Sequence, residues 1–153
     1  MNKNEFKEFC KKDFIARGFK KQKNAFYLAG DDLLCGIDLQ KSYYGEVYYV
    51  NYCYFLGDFK NIKNYPTHYE SDIQGRIAVM SRKMTNLQGE RFLTAQIEYE
   101  EYTEEELRPY FDLAFKEEIL PPVYQGKKFI LDNLGKLYFL TLHQEEVLQK
   151  LKS

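Results

Sequence analysis

The residues of this chain whose types and spacing could do chemistry lie on a predicted β-hairpin and on the strand that follows it. They combine carboxylate, amide, hydroxyl and cationic side chains, and they are Asp38, Gln40, Lys41, Ser42, Tyr49, Asn51, Asp72 and Arg76. Such side chains on adjacent strands can hold a polar ligand through paired hydrogen bonds, or they can bind one another and fix the strand register. The sequence therefore predicts either a binding site or a structural polar network, and it leaves both interpretations open.

Motifs for catalysis or metal binding are scarce in the sequence. The chain has two histidines, His68 and His143, and neither has a second ligand at the spacing of a known metal motif. The sequence also lacks a glycine-rich phosphate loop, a paired-cysteine motif and a serine elbow. A thiol nucleophile would need Cys53 beside His68, and no feature of the sequence brings them together. We therefore expect no catalytic residue, no metal ion and no cofactor, and we expect His143 at the surface of the last helix.

Two predicted β-strands, at 33–42 and 47–56, carry most of the polar residues. Both are rich in β-branched and aromatic residues, and the break between them contains Gly45, which is typical of a hairpin. Placing both apolar sets on one face fixes the register, because a shift of one residue would turn one set outward. A three-residue loop is the competing turn, but it mixes apolar and polar side chains on both faces. The predicted opposed pairs are Leu39 with Val50, Ile37 with Tyr52, Asp38 with Asn51 and Gln40 with Tyr49.

The segments around the hairpin predict a helix, further strands and a loop. An amphipathic helix is expected to follow Asn4 and to end near Gly18. Its apolar stripe consists of Phe6, Phe9, Cys10 and Phe14. A first strand at 24–28 follows a short extended entry with three lysines, and more strands are predicted at 71–80 and 91–99. The segment 58–71 lacks periodicity and is expected to form a loop.

Helices are predicted for the C-terminal part of the chain. Thr103 and Glu106 form a capping box at the start of a helix that the prolines at 121–122 are expected to stop. A short helix at 124–134, a buried apolar segment at 137–140 and a terminal helix capped by Thr141 and Gln144 follow. The whole pattern predicts one α+β domain over residues 1–153, with an N-terminal helix, a four- or five-stranded antiparallel sheet and C-terminal helices.

Charge and cysteine content narrow the possible partners. The 153 residues include 22 basic and 23 acidic ones, so the net charge is −1 and no global field favours nucleic acid or an anionic membrane. The longest uncharged run, 47–57, is too short to span a bilayer. Three cysteines, with Cys35 and Cys53 on opposite sheet faces, indicate reduced thiols. We therefore expect a soluble cytoplasmic protein without a nucleic-acid or membrane partner.

Tyrosine is the compositional feature that bears on function. The chain has 14 Tyr and 12 Phe but no Trp, and tyrosine suits interfaces because its ring is apolar and its hydroxyl is polar. An AT-rich genome would raise the tyrosine content too. We predict a non-catalytic binding or protein-interaction module with a protein partner, and a small-metabolite enzyme is the alternative. A closed pocket around Asp38, Asn51 and Arg76 would favour the enzyme, whereas an open, tyrosine-rich face would favour the module.

Several segments of the chain match the pattern of a known protein family. They are residues 18–21 with 26–27, residues 39–42 with 44–45, residues 48–51, and residues 72–77. On these residues the chain resembles the bacterial family catalogued as domain of unknown function 4304, over about residues 4–120. The Gln-Lys-Ser at 40–42 followed by the Tyr-Val-Asn at 49–51 is the most specific part of the match. The resemblance implies an α+β domain without an assigned activity, and it transfers no catalytic residue.

Overall fold

The chain forms helices at both ends and strands between them. The computed structural model describes residues 1–135, 140–141 and 144–153. The helices are α1 (Lys3–Ala16), α2 (Glu104–Ala114), α3 (Leu120–Gln125), α4 (Lys127–Asp132) and α5 (Gln144–Lys152). The strands are β1 (Lys20–Gln22), β2 (Ala25–Ala29), β3 (Leu33–Lys41), β4 (Tyr48–Leu56), β5 (Ile73–Arg76), β6 (Val79–Met80), β7 (Leu93–Thr94) and β8 (Leu140–Thr141). None of the described helices is long and apolar enough to cross a membrane.

One antiparallel sheet organises the domain. Its strand order is β1-β2-β3-β4-β5-β8, and β6 pairs with β7 in a separate small sheet. The five strands between residues 20 and 76 follow one another in space as they do in sequence, and the two-residue β8 extends the edge beyond β5. The predicted α+β architecture is confirmed: along the chain, an N-terminal helix is followed by an antiparallel sheet and then by C-terminal helices.

The register of the central hairpin is the predicted one. Asp38 lies opposite Asn51, Leu39 opposite Val50, and Gln40 opposite Tyr49. The predicted alternation places Ile37, Val50 and Tyr52 in the main core, whereas Cys53 lies in a second cluster on the other face. Hydrophobic burial thus decided the register, and the four-residue loop at 43–46 follows from it.

Aromatic rings build the main core between the sheet and the helices. The predicted stripe of α1 is buried: Phe6 stacks on Tyr48 with ring centroids 5.4 Å apart, and Phe9 contacts Phe111 at 5.3 Å. The helix begins earlier than predicted, because Asn2 rather than Asn4 caps it and exchanges hydrogen bonds with Glu5. Two helices therefore cover one face of the sheet with aromatic side chains.

The prediction that the prolines at 121–122 stop a helix was wrong. The chain stays helical from α2 through a π-helical turn at Phe115–Ile119 and into α3, which ends at Gly126. Both prolines lack the N–H that a continuing helix would use, and the Tyr54 hydroxyl donates to the carbonyl oxygens of Glu118 and Ile119 in the preceding turn. Gly126 ends the helix with a φ of 83°, a conformation that glycine adopts without strain. The capping box of Thr103 and Glu106 is confirmed.

Three strand predictions need correction. The segment 19–28 forms the hairpin of β1 and β2 instead of an extended entry and one strand. The segment 71–80 is divided between β5 and β6, and 91–99 forms only the two residues of β7 and a bridge from Ile97 to Tyr48. The last segment does not alternate regularly, because Ile97 is buried in the core while Leu93 is 63% exposed. An interrupted burial pattern of this kind does not sustain a long strand.

The helices predicted for the C-terminal part are confirmed where the structure describes the chain. The helix α4 lies within the predicted segment 124–134, and α5 forms the terminal helix. The predicted cap at Thr141 and Gln144 was wrong, because Thr141 belongs to β8 opposite Ile73 and Gln144 is the first residue of α5. Residues 137–139 of the predicted apolar segment and His143 lie outside the described residues.

Candidate functional site

The face of the sheet opposite α1 is only partly covered. A small apolar cluster of Tyr27, Leu34, Cys53 and Phe55 on this face packs against the loop that joins β4 to β5. Beside this cluster the sheet remains open and forms the floor of a cleft with a volume of about 1180 Å³. The turn between β1 and β2 and residues 63–69 of the loop form its walls. We call this depression the polar cleft.

A hydrogen-bonded network forms the floor of the polar cleft. The side-chain amide of Asn51 donates from Nδ2 to Asp38 Oδ1 at 2.9 Å and to Gln40 Oε1 at 3.0 Å. Its Oδ1 accepts from Arg76 Nε at 2.9 Å. Asn51 is only 7% exposed, so these contacts replace the hydration that burial removes. The register of three strands determines the network, because Asn51 on β4 lies opposite Asp38 on one side and Arg76 on the other.

Arg76 is the cationic group of this floor. Besides its contact with Asn51, its Nη2 donates to Gln40 Oε1 at 3.3 Å, and its guanidinium lies over the Tyr49 ring with 4.1 Å between Cζ and the centroid. These three neighbours are neutral and hold the guanidinium plane in one orientation. The residue itself remains exposed to solvent. The network therefore presents an oriented positive charge at the surface of the cleft.

Asp38 is the carboxylate of the floor, and it faces a histidine of the loop. His68 Nδ1 lies 3.7 Å from Asp38 Oδ2, which gives an ion pair when the imidazole is protonated. Both side chains are about one-quarter exposed, at 24% for His68 and 27% for Asp38. The acidic group thus has an amide donor on one oxygen and an imidazole near the other.

The loop wall is attached to the sheet by specific contacts. The Tyr27 hydroxyl donates to the Pro66 carbonyl oxygen at 2.7 Å, and the Tyr27 ring packs on Tyr65 with centroids 4.7 Å apart. Gln74 Nε2 donates to Ser71 Oγ at 3.1 Å, and Ser71 Oγ donates to the His68 carbonyl oxygen at 2.7 Å. The apolar cluster and these hydrogen bonds together position the wall beside the network.

The structure brings five of the eight predicted site residues together. They are Asp38, Gln40, Tyr49, Asn51 and Arg76. Lys41 lies at the end of β3, where its ammonium donates to the Gly45 carbonyl oxygen and sits 5.9 Å from the Tyr48 ring centroid. Ser42 accepts from the Tyr44 backbone N–H at 3.1 Å within the hairpin loop. At the hairpin end, Lys41 therefore lines the polar cleft without joining the network, and Ser42 belongs to neither.

Asp72 is the clearest departure from the predicted site. It was expected to share a strand face with Arg76, but β5 begins at Ile73 and Asp72 lies before it. Its carboxylate accepts from the Leu56 backbone N–H at 2.8 Å and from Lys150 Nζ at 2.7 Å. Asp72 thus joins β4 to the terminal helix and does not contribute to the network.

Sequence reasoning missed the residues of the walls. Lys23 and Asn24 on the β1–β2 turn and Lys63, Asn64 and His68 on the loop all line the polar cleft. The length and composition of 58–71 indicate a loop, but without periodicity the sequence contains no signal for where that loop packs.

The structure also brings Cys53 and His68 to one place, which the sequence did not predict. Both line a small void of about 10 Å³ beneath the polar cleft. Cys53 is 2% exposed, and its burial, together with the nearby Asp38 carboxylate, raises the pKa of its thiol to about 12. A protonated thiol is a poor nucleophile, so this arrangement does not activate Cys53 at neutral pH.

Comparison with known proteins supplies a family but no activity. Within the described part of the chain, no group of three or more His, Cys, Asp or Glu side chains could hold a metal ion. No curated protein and no solved structure matches the sequence. The family model described as Domain of unknown function (DUF4304) matches residues 10–121, which is more than half of the 153 residues. The expected resemblance is thereby confirmed, and the chain belongs to the DUF4304 family.

Proposed function

We propose that this chain is a non-catalytic binding module of a bacterial cytoplasm, and that the polar cleft binds a segment of a protein partner. The observation that carries the proposal is the open cleft of about 1180 Å³ over a preformed hydrogen-bonded floor. Pockets for small ligands are typically about 300–1,000 Å³ and enclose most of the ligand. A wide, open cleft with an ordered floor suits an extended segment of a larger molecule better.

Exposed tyrosines at the cleft support a macromolecular partner. Tyr43 is 97% exposed and Tyr69 is 90% exposed, and both line the polar cleft. Tyrosine supplies a large contact area at low entropic cost and is enriched where proteins bind one another. These two side chains are therefore good candidates for contacts with the partner.

The state of the cysteines supports a reducing compartment. Cys10, Cys35 and Cys53 are all free and buried. Cys35 and Cys53 lie on opposite faces of adjacent strands, so the fold keeps apart the two thiols that are closest in the sheet. Free thiols are typical of the cytoplasm.

Affinity capture with matched tyrosine variants tests this proposal. The wild-type chain and a Tyr124→Ala control should capture the same protein from a lysate of the native host, since Tyr124 is 70% exposed but lies on α3, outside the cleft. Tyr69→Ala should lose that protein. Equal capture by all three chains would place the partner elsewhere on the surface, and it would contradict a cleft-based function.

One observation favours the enzyme as a second candidate function. The imidazole of His68 and the carboxylate of Asp38 are 3.7 Å apart in the cleft, and such a pair can serve as a general base. Incubation with a metabolite extract, followed by mass spectrometry, tests this candidate. Depletion of one compound by the wild-type chain but not by His68→Ala would favour the enzyme over the module.

A further inference from the structure

We infer that the polar cleft recognises a carboxylate of an acidic peptide segment, and that Arg76 is the anchor for this group. The inference rests on the proposed function and specifies the chemistry of the partner. It starts from the unusual environment of Arg76, whose contacting partners in the described structure are the neutral side chains of Asn51, Gln40 and Tyr49.

Of the four other arginines of the domain, three have acidic partners, whereas the exposed Arg91 has none among the described side chains. Arg17 contacts Asp13 and Asp112, Arg82 contacts Glu106, and Arg108 lies 3.8 Å from Glu104. Within the part of the chain that the structure describes, Arg76 has no carboxylate within ion-pair distance. Its charge is therefore oriented by hydrogen bonds but not neutralised, and the planar fork of a guanidinium matches a carboxylate.

The walls of the cleft add positive charge around this anchor. Lys23 on one wall and Lys63 on the other are exposed, and neither has an acidic partner among the described side chains. Asp38 is the acidic side chain among the described lining residues, and it is already paired with the Asn51 amide and faces His68. The local field in the cleft is therefore positive, although the net charge of the chain is −1.

The amides on the cleft walls favour a peptide as the ligand. The Tyr27 and Tyr65 rings pack on each other, but Tyr43 and Tyr69 stay exposed, so their faces suit a nucleic-acid base as well as a peptide. The amide side chains of Asn24 and Asn64 on the two walls can donate to and accept from peptide groups. The cleft thus offers an anchor for a carboxylate and amides for a backbone.

A binding assay with defined peptides tests the inference. The probe is a short fluorescent peptide of alternating Glu and Gly, and its control has Gln in place of every Glu. Fluorescence anisotropy with the full chain should show binding of the Glu peptide, weakening with added salt, and little binding of the Gln peptide. Arg76→Gln should weaken binding roughly tenfold to a hundredfold, as expected for a charge-assisted hydrogen bond.

Two controls separate recognition from loss of folding. Arg91→Gln makes the same change of charge at an exposed arginine outside the cleft and should bind like the wild-type chain. Lys63→Gln alters the wall without touching the network and should weaken binding by a few-fold, whereas Lys20→Gln on the exposed strand β1 should not. Circular dichroism melts identify any variant that fails to fold.

Equal affinity for the Glu and Gln peptides would overturn the inference, and so would wild-type affinity in Arg76→Gln. Absence of binding to the Glu peptide at millimolar concentration would overturn it as well. Tighter binding of an oligothymidylate would assign the cleft to single-stranded nucleic acid instead. If Tyr69→Ala loses the captured protein but Arg76→Gln keeps it, the binding module stands and only the carboxylate anchor fails.

Discussion

Replacement of Asn51 by alanine is the sharpest test of the polar network. The substitution removes three hydrogen bonds at once, to Asp38, to Gln40 and from Arg76. Two of these involve a charged partner, and the truncated side chain is 7% exposed. The network should therefore contribute to the free energy of unfolding.

The size of the effect follows from what each partner does after the truncation. Gln40 and Arg76 are exposed and recover hydration, so their lost contacts cost little. Asp38 keeps 27% of its side chain in solvent and still faces His68, so water and the imidazole replace part of the hydrogen bond that its carboxylate loses. A typical hydrogen bond makes a net contribution of about 1 kcal/mol to the unfolding free energy, and a hydrogen bond to a charged group contributes about 1.5–3 kcal/mol. We expect a loss of about 1–3 kcal/mol of unfolding free energy, or roughly 2–12 °C in melting temperature.

Thermal and urea melts measure this loss against a matched control. Asn64→Ala removes the same amide from an exposed position on the cleft wall and should change the unfolding free energy by less than about 0.5 kcal/mol. Lys41→Ala should also cost less than Asn51→Ala, because Lys41 lies at the strand end beside solvent. If Asn51→Ala melts like Asn64→Ala, the network does not stabilise the fold and the reasoning above is refuted.

Three further predictions concern the core, the thiols and the surface charge. Gly75→Ala should lower the unfolding free energy by about 1–3 kcal/mol, because its Cβ would clash with the buried Tyr52 ring. Gly45→Ala is the control: its Cβ meets nothing within 4 Å, so it should melt like wild type. Burial raises the pKa of the Cys53 thiol from 9.0 to about 12, so the unfolded chain loses this proton at lower pH than the folded chain does. The melting temperature should therefore fall as the pH rises from 9.0 to about 12, and it should fall less steeply in Cys53→Ala. Duplex DNA should bind weakly; submicromolar affinity at physiological salt, lost at higher salt, would contradict this expectation.

The sequence predicted the parts of the fold in which apolar residues recur regularly, at every second position of a strand or at the spacing of a helical turn. The alternation of Leu39 and Ile37 against Val50 and Tyr52 gave the register, and that register alone placed Asn51 opposite Asp38. The stripe of α1 was equally readable, because its aromatic residues all face the core. Where burial follows a regular period, one sequence suffices to find the contacts.

The remaining parts depend on tertiary contacts that leave no local pattern. The helix continues across the prolines at 121–122 after a π-helical turn, and no local propensity signals such a turn. The walls of the polar cleft depend on where the loop packs, which the contacts of Tyr27 with Pro66 and Tyr65 determine. Asp72 looked like a strand partner of Arg76 by spacing, but β5 begins one residue later.

The alternatives of a structural network and a binding site need not exclude each other in this domain. Asn51 is buried and makes all its contacts within the protein, whereas Arg76 is exposed and carries a charge that its neighbours orient but do not neutralise. A rigid floor lowers the entropic cost of holding a guanidinium in place for a ligand. Asn51→Ala should then reduce both stability and peptide affinity, since it removes the support of Arg76. Arg76→Gln should reduce affinity far more than stability, and this difference between the two variants separates the supporting residue from the binding one.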